Sequence, residues 1–149
     1  MKQILIATDG SPSAQEAVEV GLELAREQGA DVTFVHVTPA EEVRGGRGGA
    51  HALTHRDEVD ESETALKAAA DAAEEAGVSY ALERFSGETV ETIVAMADSK
   101  SADIIVLGSR GRNALTSALL GSVSQGVLRH ASRPVLVVKA AKAPAETAV

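Results

Sequence analysis

The sequence predicts an α/β fold built on a mainly parallel sheet. Five compact aliphatic runs of strand length recur along the 149 residues, and four stretches of helical periodicity fill the gaps between them. No internal repeat or break in composition divides the chain. Strands that alternate with helices form βαβ units, and their crossovers lay successive strands parallel. One domain over residues 1–139 is expected, followed by a frayed tail at 140–149.

Each element has its own signal. Ile4, Leu5, Ile6 and Ala7 are apolar without alternation, as in a strand buried on both faces, and the run ends at Thr8-Asp9-Gly10. Ser11 offers a helix N-cap with Pro12 at the first helical position, while Ser13 and Glu16 offer a rival capping box. Ala14, Ala17, Val18, Gly21, Leu22 and Ala25 then share one helical face up to Gly29. The second strand is expected at 32–37, stopped by Pro39. A helix follows over 57–76, with Val59, Leu66, Ala69, Ala70 and Ala73 on one face and carboxylates on the other. Residues 78–85 read as the third strand and 89–99 as a helix carrying Val90, Ile93, Val94 and Ala97. Residues 104–107 form the fourth strand. A helix over 117–130 presents Leu119, Leu120, Val123, Val127 and Leu128, and Pro134 leads into the fifth strand at 135–138. Residues 39–56 hold four glycines between positions 45 and 49 and read as a long loop.

Composition excludes several functions. With no Cys, the chain has no disulfide, no thiolate metal site and no Cys nucleophile. No apolar run approaches the roughly 18–20 residues of a membrane span. The opening MKQILIATDG passes to polar Thr8-Asp9 where a signal peptide would have its cleavage site, so a soluble, cytoplasmic protein is expected. The net charge is −8, and only two Phe and one Tyr are present. Nucleic-acid binding is therefore disfavoured: there is neither a basic stripe for phosphates nor an aromatic platform for bases. The charge is uneven, however. Residues 1–40 carry six acids and two bases, 41–91 thirteen and five, and 92–149 three and seven. The last third is thus basic and suits a small anion.

Ligands of open parallel sheets bind beyond the carboxyl ends of the strands, where strand order reverses. This directs attention to Ala7, Thr8, Asp9, Val37, Gly108 and Ser109. Gly108 and Gly111 follow the fourth strand with two residues between them, and Gly121-Ser122 come after nine more. Glycines let main-chain N–H groups close on a phosphate, a helix start adds its dipole, and Arg110 and Arg112 add charge. On spacing alone, Gly108 serves equally as a turn glycine and Gly121 as a helix-packing glycine. The chain lacks G-x-x-x-x-G-K-[ST], and no G-x-G-x-x-G follows the first strand. Asp9 has an alternative role as the cap of the turn before Gly10, but its place at a strand's carboxyl end beside the glycine motif favours ligand contact. His36 in its strand and His130 at a helix end read as structural; His51 and His55 form at most a weak metal pair. The acids between Asp57 and Glu63 read as a solvated helix face.

The segments KQILIATDGSPSAQEAV, FVHVTP and ADIIVLGSRGRNALTSALLGSVSQGVLRHASRPVLVV, with their G-x2-G-x9-G-[ST] spacing, resemble the universal stress protein family, in its ATP-binding branch. The resemblance runs from Lys2 to about Lys139 and implies a Rossmann-like open sheet in the order 3-2-1-4-5 with helices on both faces. It implies that Asp9 meets the ribose, or the phosphates through Mg²⁺ or Mn²⁺. It further implies that Ala7 and Val37 flank the adenine, that Val37 offers main-chain groups to the base edge, and that Gly108 packs beside the ribose. Gly111, Arg112, Asn113, Gly121, Ser122, Val123 and Ser124 would cradle the phosphates. A homodimer through the last strand, residues 134–138, is also implied. Thr89 and Ser132 depart from the family's common Pro and Cys. Four functions remain open: an ATP-dependent stress regulator with little turnover and an unknown protein partner, a slow ATPase or autokinase, a sensor of cyclic AMP, and an interaction module with an empty site.

Overall fold

The computed structural model describes residues 1–39, 55–110 and 120–140. The five aliphatic runs form strands β1 (Gln3–Ala7), β2 (Asp31–Pro39), β3 (Tyr80–Gly87), β4 (Ile104–Gly108) and β5 (Val135–Val138). Helices α1 (Pro12–Gln28), α2 (His55–Ala76), α3 (Thr89–Ser99) and α4 (Ser122–His130) connect them or follow them. Every pairing is parallel and the sheet order is β3-β2-β1-β4-β5. The expected order 3-2-1-4-5 and the placement of helices on both faces are therefore observed.

Period-two alternation divides the central strands between two cores. Ile4, Ile6, Val32, Phe34 and Val106 pack with Ala17, Val18 and Leu22 of α1 and with Leu66, Ala69 and Ala73 of α2. Leu5, Ala7, Val35, Val37, Ile105 and Leu107 pack on the other face with Ile93 and Ala97 of α3 and Val127 of α4. Strands covered on both sides must be apolar at every position, which is why β1 and β4 carry unbroken aliphatic runs.

The cap of α1 is one of the two the sequence offers, and three other boundaries differ from the sequence expectation, each for a local reason. Ser11 is the cap of α1, its hydroxyl accepting from Ala14 N–H at 3.2 Å, and the rival Ser13 turns instead towards the end of the sheet. β2 continues through Pro39, which pairs with Gly87. Main-chain groups of alternate residues point to alternate sides, and those of Pro39 point to the β1 side, where β1 has already ended; the missing N–H costs no ladder bond. β3 begins at Tyr80 because Val78 N–H closes the end of α2 by donating to Ala73 O at 3.0 Å. The last helix begins at Ser122, since Leu120 and Gly121 are not helical; residues 117–119 lie outside the described residues.

The amino end of the sheet is closed by one carboxylate. Asp103 accepts from Lys2 N–H at 2.6 Å and Gln3 N–H at 2.9 Å, and these two bonds, Lys2 foremost, hold its carboxyl below the ordinary value. A carboxyl whose pKa is lower in the folded state contributes stability above its unfolded pKa, and that contribution is lost as pH falls through the folded value. Denaturant titrations of Asp103→Asn between pH 2 and 7 should show lower stability near neutrality and a shallower acid slope. An unchanged acid slope would show that other carboxylates govern it.

Candidate functional site

The site begins where β1 stops. Thr8 N–H donates to Val35 O at 2.9 Å, and this is the last link from β1 to β2. β2 runs four residues further, and β4 reaches Gly108 opposite Val138 of β5. Strand order reverses across β1, so a crevice opens above its carboxyl end. Val37 lies two residues beyond Val35 and directs its N–H and C=O into that gap, where no strand remains to meet them. A donor and an acceptor side by side on an extended main chain are what the edge of a nucleobase requires.

The crevice is a cleft of about 370 Å³, within the range of small-molecule sites. One wall is apolar, made by Ala7, Val37, Ile93, Leu107 and Val123. At one end stands the amino terminus of α4. Gly121 caps it in extended conformation (φ −69°, ψ 164°) and lends no side chain. The N–H groups of Ser122, Val123 and Ser124 thus have no acceptor within the helix, and all three residues line the cleft. Unsatisfied N–H groups and the helix dipole together favour an anion. Arg110 also lines the cleft, adding a cation.

A buried layer holds this terminus in place. Gly121 N–H donates to Ser109 O at 2.7 Å, and Ser124 Oγ lies 2.9 Å from the same oxygen and 3.0 Å from Gly121 O. The single hydroxyl hydrogen of Ser124 is directed into the protein, so Ser124 offers a ligand its main chain and not its side chain. On its other side Ser109 N–H donates to Val138 O at 2.8 Å, and Ser13 Oγ donates to that oxygen at 3.3 Å. Ser109 is buried behind the cleft and supports it. Gly108 lines the cleft, but its lack of a side chain has a second cause. A Cβ there would fall 2.6 Å from Ser13 Oγ and 2.7 Å from Ser13 C.

Asp9 unites two readings. Its Oδ1 accepts from Ser11 N–H at 2.9 Å, forming the turn into α1 in which Gly10 takes φ +80°, and the residue also lines the cleft. Ala7, Thr8, Asp9, Val37, Gly108, Arg110, Gly121, Ser122, Val123 and Ser124 are thus brought together. Gly111, Arg112 and Asn113 lie outside the described residues, as do the glycines at 45–49, His51 and the side chain of His55. His36 is buried, with Nδ1 2.9 Å from Ser62 Oγ, and it reaches the cleft, as do Glu61, Thr89 and Ile93. Ser62 shares its helical face with Leu66, Ala69 and Ala73, so its burial was readable from spacing; no such signal marks Glu61, which leaves the solvated face expected for it.

Fold and cleft define a parallel α/β protein whose ligand crevice lies at the switch point of its sheet. Residues 1–139 match the universal stress protein family, and the chain belongs to it. It is 37% identical over 142 residues to universal stress protein MJ0531 of Methanocaldococcus jannaschii, covering 95% of this chain and 84% of that one. Among solved structures it resembles the protein MJ0577, with TM-score 0.81 and 28% identity over 95% of this chain and 98% of the other. Two further universal stress proteins are each 25% identical to it. One, from Archaeoglobus fulgidus, was solved in complex with dAMP (TM-score 0.70, 93% and 98% covered). The other was solved in complex with cAMP (TM-score 0.68, 94% and 98% covered). Among the described residues no helix is long and apolar enough to cross a membrane.

Proposed function

We propose that this chain is an ATP-binding universal stress protein, a cytoplasmic regulator whose bound nucleotide sets the form a protein partner reads. The observation that carries the reading is the division of one cleft into an apolar slot with the Val37 main chain and a helix terminus without a side-chain cap at Gly121–Ser124. Adenine enters the slot, and the phosphates reach the N–H groups of Ser122, Val123 and Ser124, with Gly111, Arg112 and Asn113 completing the cradle. Asp9 faces the ribose or a Mg²⁺ or Mn²⁺ ion carried by the phosphates. Asp9 and Glu61 are the carboxylates among the described lining residues. With Asp9 Oδ1 engaged by Ser11, the arrangement favours holding ATP over hydrolysing it. The chain pairs as a homodimer through β5, a free sheet edge whose four aliphatic residues are all only half-buried.

Calorimetric titration with ATP–Mg²⁺ tests the reading. One site per chain is expected, filled at least about tenfold more tightly by ATP than by cyclic AMP, a difference of about 1.4 kcal/mol. No heat and no nucleotide in native mass spectra would overturn it. The relative solved with cAMP favours a second reading, a cyclic-nucleotide sensor, and tighter cyclic AMP binding would establish that one instead. Native mass spectra of the apo and loaded chain also report the dimer.

A further inference from the structure

The third side of the cleft, towards α1 and α2, has a chemistry that the apolar slot and the helix terminus do not explain. It carries Asp9 and Glu61, and the same two residues line the adjoining groove between α1 and α2. Two carboxylates at one edge of a cavity repel phosphate, so they fix which way a nucleotide lies: phosphates towards α4, sugar towards the acids. A ribose presents two neighbouring hydroxyl donors. Asp9 meets them with one oxygen already engaged by Ser11 N–H at 2.9 Å. A second carboxylate at the same edge would give each hydroxyl an acceptor of its own.

Glu61 is placed to be that acceptor. It is half-buried on α2, and the next residue, Ser62, is only 1% exposed and bonded to His36 Nδ1 at 2.9 Å. That bond joins α2 to β2 beside the cleft, and Gly10 lies against Ala65 one turn further on, 3.4 Å from a Cβ built at the glycine to Ala65 Cβ. The backbone that carries Glu61 is therefore pinned at the residue that follows it and again one turn further along α2. We propose that Glu61 is a specificity residue that, with Asp9, reads the 2′- and 3′-hydroxyls of the bound nucleotide and selects ribonucleotides over deoxyribonucleotides. The inference rests on the nucleotide reading above.

Calorimetry of the full chain with ATP, 2′-deoxy-ATP and 3′-deoxy-ATP, each with Mg²⁺, separates the two. A hydroxyl donating to a carboxylate is expected to be worth roughly tenfold in affinity. Wild type should favour ATP by about that factor over at least one deoxy analogue. Glu61→Ala should weaken ATP about tenfold, leave the affected analogue unchanged and bring the ratio near one, while the isosteric Glu61→Gln retains part of the preference. Failure of wild type to bind any of the three overturns the nucleotide reading. Binding of all three with equal affinity, or an unchanged ratio in Glu61→Ala, overturns the role of Glu61 alone. Thermal melts of both variants, expected within a few degrees of wild type, show that the ratios come from folded protein.

Discussion

Gly108→Ala is expected to destabilise the protein by about 2–3 kcal/mol, lowering the melting temperature by roughly 10 °C, whether or not nucleotide is present. A methyl group at this position would fall 2.6–2.8 Å from the hydroxyl, carbonyl carbon and carbonyl oxygen of Ser13. Two of those atoms are main chain at the start of α1, so no rotamer change removes the clash. Relief would move the first turn of α1 away from β4. It would also strain the bonds in which Ser13 Oγ reaches Val138 O at 3.3 Å and Arg110 N–H reaches Ser13 Oγ at 3.4 Å. Such overpacking is a sizeable share of the 5–15 kcal/mol typical of whole domains. Differential scanning calorimetry with and without ATP–Mg²⁺ checks it. A variant that melts like wild type but binds no nucleotide would show that Gly108 serves the ligand alone.

That glycine also shows where sequence reading stops. The strands were legible because a strand covered on both faces must be aliphatic throughout, and each of β1, β4 and β5 is a short unbroken run. The cleft was legible because a switch point follows from topology, and topology follows from the alternation of elements. What the spacing of glycines could not separate was purpose. Gly108 is required by α1 crossing the end of β4, and the helix-packing glycine of the region is Gly126, where a Cβ would meet Val90 Cγ2 of α3 at 2.6 Å. Both depend on contacts between elements far apart in the chain, which no local pattern encodes. Glu61 and His36 eluded the sequence for a related reason. A carboxylate on a helix rich in acids, and one histidine in a strand, become part of a site only when α2 closes over the end of β2.

Ser109 and Ser124 add a physical point about how the cleft is kept ready. Helix N–H groups that are to serve an anion must stay open without collapsing onto a neighbouring side chain. Gly121 supplies the collapse-proof cap, having no oxygen of its own to turn inward. The helix is tethered instead from behind, through the carbonyl of Ser109, which accepts from Gly121 N–H and Ser124 Oγ at 2.7 and 2.9 Å. Ser124→Ala should therefore fold and still bind nucleotide, with affinity reduced by less than about tenfold. Titration calorimetry reads the difference. A loss of several hundredfold would mean that the hydroxyl meets the ligand directly.

Gly121→Val is expected to leave the fold intact and to remove nucleotide binding, by at least about 100-fold in affinity. The backbone permits the substitution: φ −69° and ψ 164° lie in the region that β-branched residues prefer. Valine is a poorer cap than glycine, which costs at most about 1 kcal/mol, or a few degrees in melting temperature. The ligand has no such latitude. Two branched methyl groups at the cap stand beside the N–H groups of Ser122 and Val123, in the space a phosphate must enter to reach them. Each charge-assisted bond lost is worth roughly 1.5–3 kcal/mol, so losing two accounts for the expected factor. The pair of glycine variants then discriminates sharply. Gly108→Ala should melt early and Gly121→Val should melt almost normally; calorimetric titration should find the second unable to bind ATP–Mg²⁺ under conditions where wild type saturates. Retained affinity in Gly121→Val would place the phosphate cradle away from the amino terminus of α4.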